Sequence, residues 1–284
     1  MKIAPRYDGP PLIAIDGRWD DQLEPVSRQR RRMESFLAGL SDAEWALASR
    51  CDGWTVQDVV AHVVGVNAFW QASVLAGLAG TPTRLLTGFD PAATPALMVD
   101  AMRALTPAEV LDQFVQSNEA FLGTLAGLDE PGWSMPAEAP PGHIPVRLLA
   151  QHALWDCWIH ERDVALPLGS IPAVESDEVS SCLRYAAALS PGFSIMHGDA
   201  FTGVFAVDAN DPDVSFTMEV GESVTVRAAA HPHAPCLRGD AVELIEALSI
   251  RGPLPSSAPA EWQQLLRGLA TAFGSDADRE VSSL

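Results

Sequence analysis

Apolar positions recur at helical spacing through most of the first 168 residues and predict a run of helices joined by irregular loops. From Asp21 to Leu40 the residues Leu23, Val26, Met33, Phe36, Leu37 and Leu40 fall near one helical face. A second helix opens at Thr55, which with Asp58 three residues later has the capping-box pattern, and apolar positions carry it to about Ala79. The breakers Thr81-Pro82, Gly88 and Asp90-Pro91 make Gly80 to Pro95 a loop. A short helix near Ala96 to Ala104 precedes a longer one from Pro107 to about Leu128, capped by Thr106 with proline at the first helical position. Asp129 to Pro145 reads as another Pro/Gly-rich loop. Pro145 then opens a helix through Leu148, Leu149, Leu154, Trp158 and Val164 that stops before Pro167.

After Gly169 the pattern changes. Residues 175 to 189 keep helical spacing, but Phe201 to Val207, Val214 to Val220 and Ser223 to Ala229 alternate or carry β-branched runs, the last two meeting at a hairpin around Gly221-Glu222. Asp240 to Ile250 and Ala260 to Phe273 return to the helical period. The expected organisation is α+β: an irregular arm over 1–18, a helical bundle over 19–169, a small α/β domain over 175–273 and a frayed polar tail over 274–284.

Composition narrows the possible partners. A chain of 284 residues that is 48% hydrophobic can bury two cores of ordinary size, and a net charge of −19 argues against nucleic acid or anionic membrane, both of which need clustered positive charge. The basic cluster Arg28, Arg30, Arg31 and Arg32 is too short to reverse that balance. The first thirty residues hold charges and prolines without a continuous apolar run, so neither a signal peptide nor a membrane span is read there, and a cytoplasmic protein is expected. Cys51, Cys157, Cys182 and Cys236 form no CxxC pair, fit a reducing compartment, and read as small buried hydrophobes. Trp54, Trp155 and Trp158 read as packing between helices.

The chemistry-bearing residues are His62 and the ladder His152, Asp156, His160. Imidazole nitrogens and a carboxylate oxygen hold divalent transition metals, and three such ligands leave a fourth tetrahedral position open for chemistry. Residues four apart on a helix rise about 6 Å and lie on one face, so neighbouring rungs can share an ion, whereas residues eight apart are separated by about 12 Å. Helix geometry therefore allows the 152/156 pair or the 156/160 pair, but not His152 and His160 together on one ion. His62 must come from another segment.

Two stretches carry a resemblance. Cys51-Asp52-Gly53-Trp54-Thr55-Val56-Gln57-Asp58 through His62 is similar to a GWT-x-x-D-x-x-x-H signature, and Asp156 through His160 to Asp163 is similar to an E-x-x-x-H-x-x-D signature. Together they resemble the mycothiol-dependent maleylpyruvate isomerase family, a branch of the DinB-like four-helix-bundle metalloproteins. The resemblance implies a DinB-like bundle followed by a small α/β domain similar to sterol carrier proteins. It further implies a divalent metal, usually zinc, on His62, Asp156 and His160, with aspartate in place of the family's more familiar glutamate. Asp163 could orient a ligand histidine, and His152 falls outside this set, as a residue that supports a ligand, replaces one, or faces the substrate in a catalytic role.

The implied activity is activation of a low-molecular-weight thiol such as mycothiol for addition to an electrophilic small molecule, as an isomerase or an S-transferase. A dicarboxylate substrate would need cations near the metal; Arg238 and Arg251 are the preferred ones if the site lies between the domains, with Arg84 and Arg162 behind them. Two rivals are a hydrolase using metal-bound water, with Glu161 or His152 as base, and a non-catalytic binding or regulatory module using an apolar pocket of the second domain.

Overall fold

The computed structural model describes residues 4–16, 22–91, 93–198, 202–228 and 231–273, and the structural statements below concern these. The chain begins with strand β1 (Ile13–Ile15), helix α1 (Leu23–Leu37), the single turn α2 (Asp42–Trp45), the long helix α3 (Val56–Leu78) and the short α4 (Ala93–Asp100). Next come α5 (Pro107–Ala126), the short α6 (Glu130–Ser134), a hairpin of β2 (Pro136–Ala139) and β3 (Gly142–Pro145), and α7 (Val146–Ala165). The rest comprises α8 (Ser176–Met196), β4 (Gly203–Asn210), β5 (Val214–Val220), β6 (Val224–Arg227), β7 (Cys236–Asp240), α9 (Ala241–Leu248) and α10 (Ala260–Phe273).

Helices α1, α3, α5 and α7 form a four-helix bundle in which α1 and α3 each pack against both α5 and α7. Local chemistry sets their starts. Thr55 and Asp58 form a reciprocal capping box at α3, and Thr106 with Glu109 forms another at α5, where Pro107 takes the first turn. Each box satisfies N–H groups that a helix start otherwise leaves unpaired. The interior is filled by Met33, Leu37, Val59, Val63, Phe114 and Phe121, all fully buried. Helix α3 has the length and apolarity of a membrane span, and its position accounts for that composition: it contacts α5, α7, α4 and β2, so most of its surface faces protein.

The second region is a five-stranded sheet in the order β1-β6-β5-β4-β7, antiparallel at its centre, with β1 and β7 added in parallel at the two edges. Helix α8 joins the two regions, packing on α7 and also on α9, α10 and the sheet strands β1, β5 and β6. The observed class is α+β, a helical N-terminal domain followed by a sheet-containing C-terminal one.

Several elements depart from the sequence reading. The expected irregular arm over 1–18 contains β1, whose Ile13 and Ile15 point into the core while Ala14 is exposed; three residues are too few to show alternation, and the partner strand lies two hundred positions away. The loop read over Asp129 to Pro145 contains α6 and the β2–β3 hairpin, and the first short helix lies over Ala93–Asp100 instead of starting at Ala96. Helix α8 runs on through Pro191 to Met196 because Leu189 and Phe193 are buried in the same core, so packing overrides the local cost of proline. Strand β7 has no counterpart among the expected strands. The tail expected over 274–284 lies outside the described residues.

Candidate metal centre and its cavity

Two helices of the bundle and one loop build the site. Thr55 fixes the first turn of α3, which sets His62 two turns further along, buried and facing α7. The loop before it is tied down at both ends: Ala48 bridges to Thr55, the Ser49 N–H donates to the Trp54 carbonyl at 3.0 Å, and the Arg50 N–H donates to the Asp163 carbonyl at 3.0 Å. That folding carries Cys51 over the C-terminal turns of α7. On α7 itself, Asp156 and His160 share a face one turn apart.

One donor atom from each of His62, Asp156 and His160 lies within 4.8 Å of the other two. The His62 and His160 rings meet edge to face at 5.0 Å, and Nε2 of His160 is 3.8 Å from Oδ1 of Asp156. The other nitrogen of His160, Nδ1, is 3.1 Å from Oδ2 of Asp163, which fixes the ring with Nε2 toward the cluster. Asp163 is fully buried and is held by a fork from Arg251, whose Nε and Nη2 each approach a carboxylate oxygen at 2.9 Å. Nδ1 of His62 and Oδ2 of Asp156 are buried without a hydrogen-bond partner among the described residues. Unpaired polar atoms are costly in a protein interior, and two in one group of three fit a cation between them. The donor set suits a divalent transition metal.

The two imidazoles differ in the bare cluster. Burial, reinforced by the charge of His160, pushes His62 down to about 4, so it presents a neutral imidazole. Burial also opposes charge on His160, but the bond to Asp163, with Cys51 and Asp156 adding to it, prevails and lifts it to about 10. A metal on Nε2 of His160 would take the place of that proton.

A cavity of about 1090 Å³ opens beside the cluster, between the bundle and the C-terminal region. His62, Asp156 and His160 line it, as do Trp54 and Trp155; Trp158 does not, and packs instead beneath the Arg162 guanidinium at 5.0 Å from its ring. His152 also lines the cavity, one turn before Asp156. Its Nδ1 is 2.6 Å from the Tyr185 hydroxyl, its ring sits among Trp70, Trp155 and Tyr185, and burial pushes it down to about 4. Of the two ladder pairs that helix geometry left open, the 156/160 pair is the one beside His62.

The cations expected near the site divide sharply. Arg251 lines the cavity and engages Asp163. Arg238 does not reach it: alternation on β7 turns it outward, 67% exposed at the side chain, to pair with Asp208 at 3.4 Å. Arg84 pairs with Asp8 on the surface, and Arg162 turns to Glu246 on α9 at 2.7 Å. Glu161, considered as a base, points away from the cavity into a closed contact with Arg32 and Gln29.

Two residues of the site escaped the sequence reading. Cys51, taken as packing, has its thiol 3.2 Å from Asp163 and 3.8 Å from Nδ1 of His160; its place three residues before Trp54, in the same signature as His62, was the available signal. Cys51, His160 and Asp163 form a second close group of donor atoms. Arg50 lines the cavity while forking onto Glu246 at 3.0 and 3.2 Å, a partner 196 positions away that no local pattern announces.

Comparison with known proteins gives the same architecture. A crystal structure of the mycothiol-dependent maleylpyruvate isomerase superposes with a TM-score of 0.60 over 84% of this chain and 91% of that one, at 18% sequence identity. A crystal structure of a histidine-to-alanine mutant of that isomerase matches equally, with a TM-score of 0.60. At this identity the likeness is one of fold. A search of curated proteins gives no match. The sequence profile of the mycothiol maleylpyruvate isomerase N-terminal domain matches residues 26–165, from the first bundle helix to the end of α7, so this stretch of the chain is similar to that domain.

Proposed function

We propose that this protein is a metal-dependent enzyme that uses a low-molecular-weight thiol, mycothiol or a close equivalent, to act on an electrophilic small molecule as an isomerase or S-transferase. The observation that carries the reading is the group of buried His62 and His160 with half-buried Asp156, a group with two unpaired polar atoms, opening onto a large cavity. The family of the N-terminal domain and the fold of the solved isomerase support the thiol chemistry.

In this reading His62, Asp156 and His160 hold a divalent ion, zinc by donor type. When bound, the ion supplies Lewis acidity that lowers the pKa of a thiol to give a nucleophile at neutral pH. Asp163 accepts from Nδ1 of His160 and keeps that ring oriented, and Arg251 anchors Asp163. The aromatic walls exclude water from the reacting atoms. The thiol sulfur bonds to the β carbon of a carbon–carbon double bond conjugated with a carbonyl, and the proton goes to the α carbon. Rotation about the new single bond and loss of sulfur and proton give the other geometric isomer; stopping at the adduct gives a thioether. His152, held neutral by burial and anchored to Tyr185, stands on the wall where it can donate to the carbonyl oxygen as charge develops there.

Activity of the purified protein with and without added thiol, alongside metal analysis, tests the reading. Thiol-dependent turnover with about one ion per chain is expected. Turnover of an ester or amide without thiol would replace it with hydrolysis.

A further inference from the structure

We infer that Tyr185 fixes His152 as the tautomer that carries its proton on Nε2, so that His152 offers the cavity a hydrogen-bond donor for a ligand carbonyl or carboxylate oxygen and does not act there as a base. The tautomer rests on hydrogen bonds alone; the ligand's part in it rests on the thiol-addition reading.

Tyr185 is fully buried on α8. A phenol has one hydrogen to donate, and burial pushes the Tyr185 phenol well above its usual range, so that hydrogen stays in place. The polar atom bonded to the hydroxyl among the described residues is Nδ1 of His152, at 2.6 Å. If Nδ1 bore the imidazole proton, the bond would run from histidine to tyrosine and strand the phenolic hydrogen in the interior, where an unmet donor is costly. With the proton on Nε2, Tyr185 donates to a bare Nδ1 and both buried atoms are satisfied. An imidazolium would strand the same hydrogen, and burial, which holds His152 neutral, opposes it as well.

Trp70 at 4.7 Å, Trp155 at 5.5 Å and Tyr185 at 5.1 Å meet the His152 ring edge to face and hold its orientation. Nδ1 is thereby turned to α8. Nε2, on the far side of the ring, has no hydrogen bond among the described residues and is not sealed off as Nδ1 of His62 is, so it opens onto the cavity that His152 lines. Trp70, 3% exposed and on the same wall, has a second N–H without an acceptor, on Nε1. Two unmet donors in one corner fit a ligand that brings oxygen. In thiol addition that oxygen belongs to the carbonyl or carboxylate conjugated with the double bond. The Nε2–H stabilises the charge that develops on it while sulfur bonds to the β carbon. The thiol supplies the proton for the α carbon, and His152 keeps its own.

Nitrogen NMR of the whole protein with isotopically labelled histidine tests the tautomer, the spectrum of His152→Gln identifying the His152 signals. A protonated Nε2 and a bare Nδ1 are expected, and Tyr185→Phe, which removes only the hydroxyl, should abolish that preference. A proton on Nδ1 or on both nitrogens would overturn the inference, as would an unchanged preference in Tyr185→Phe; should that variant not fold, the parent spectrum decides. Calorimetry with maleate, for a carboxylate oxygen, and benzylideneacetone, for a neutral carbonyl, reads the donor. His152→Gln places an amide N–H where Nε2–H stood and should bind the accepted probe within about 3-fold of the parent, whereas His152→Leu should lose ~10-fold. Parent-like binding by His152→Leu, or binding of neither probe to the parent, would overturn the donor role. Thiol-dependent turnover of the bound probe is followed separately. Its absence in the parent would sink the thiol-addition reading and leave the tautomer and donor standing. Turnover lost as fully in His152→Gln as in His152→Leu, with binding kept, would mean that His152 is a base and overturn the inference.

Discussion

The two flanks of helix α7 bury charged groups at nearly the same height, yet they are finished differently. On the flank facing α1 and α8, Glu161 takes Arg32 through both oxygens at 2.8 Å and Gln29 at 3.0 Å, and Glu178 takes Arg32 at 2.8 Å and Arg28 at 2.9 Å. No carboxylate oxygen of either residue is left over. On the flank facing α3, Asp156 keeps one buried oxygen and His62 one buried nitrogen without partners. Paired carboxylates fix helices against one another, although Gln29 on that flank leaves its buried amide oxygen over; unpaired atoms of ionisable groups beside a cavity are where a ligand can supply what is missing. Burial alone would have ranked Glu161, its side chain 2% exposed, ahead of Asp156 at 15%. The count of unpaired atoms separates them.

The largest effect should come from the open flank. His62→Ala and Asp156→Ala each remove one of the three proposed ligands and should lower metal affinity more than ~100-fold, read as metal per chain after dialysis. Wild-type metal content in both variants would erase the distinction between the flanks. Asp163→Asn keeps the shape but weakens the orientation of His160 and the hold on Arg251, and should cost about 10–100-fold in metal affinity, measured by competition with a chromophoric chelator.

Glu161→Gln breaks the closed flank. It should destabilise the fold by about 2 kcal/mol, less than a fully buried pair would, because Arg32 retains Glu178 and is partly exposed. Denaturant unfolding reads that loss, and metal content should be unchanged; loss of metal here would mean the flanks are coupled.

The effect smallest at any one step is a pH slope. His152 is held neutral at about 4, against about 6.5 for an unperturbed histidine, so the unfolded chain takes up its proton first. Stability from this group is fully present above pH ~6.5, falls as pH drops toward 4 by at most about 1.4 kcal/mol per unit, and levels off below that. His152→Asn should flatten the curve relative to the parent in chemical denaturation at stepped pH. An identical slope would mean that its burial does not govern its protonation.

How far the site was legible depends on the distance over which each contact is made. Asp156 and His160 are one helical turn apart, and Thr55, Asp58 and His62 follow from a cap and a period, so all five could be found locally. Cys51 could have been found from its neighbourhood but was hidden by the general tendency of free cysteines to be packing. Arg50 could not, because its partner Glu246 lies 196 positions away; Arg251 was among the cations expected from the sequence, but its hold on Asp163, 88 positions away, was not. Arg238 and Arg251 looked equivalent in the chain. Strand alternation on β7 sends the first to solvent, and the turn after α9 brings the second onto Asp163.

The fold divides in the same way. Helical periods and capping boxes in the amino-acid sequence were enough to determine the bundle helices and the face of α7 that carries Asp156 and His160, and alternation the second region's central strands, since these follow from residues near one another in the chain. Tertiary structure alone decided that Ile13–Ile15 adds a fifth strand beside Val224–Val226, that His152 is drawn to Tyr185 while His160 faces His62, and that the cavity's arginines are already paired. Those choices depend on which distant groups share one buried space, where each polar atom must find a partner and each charge a counter-charge, and no local pattern carries that information.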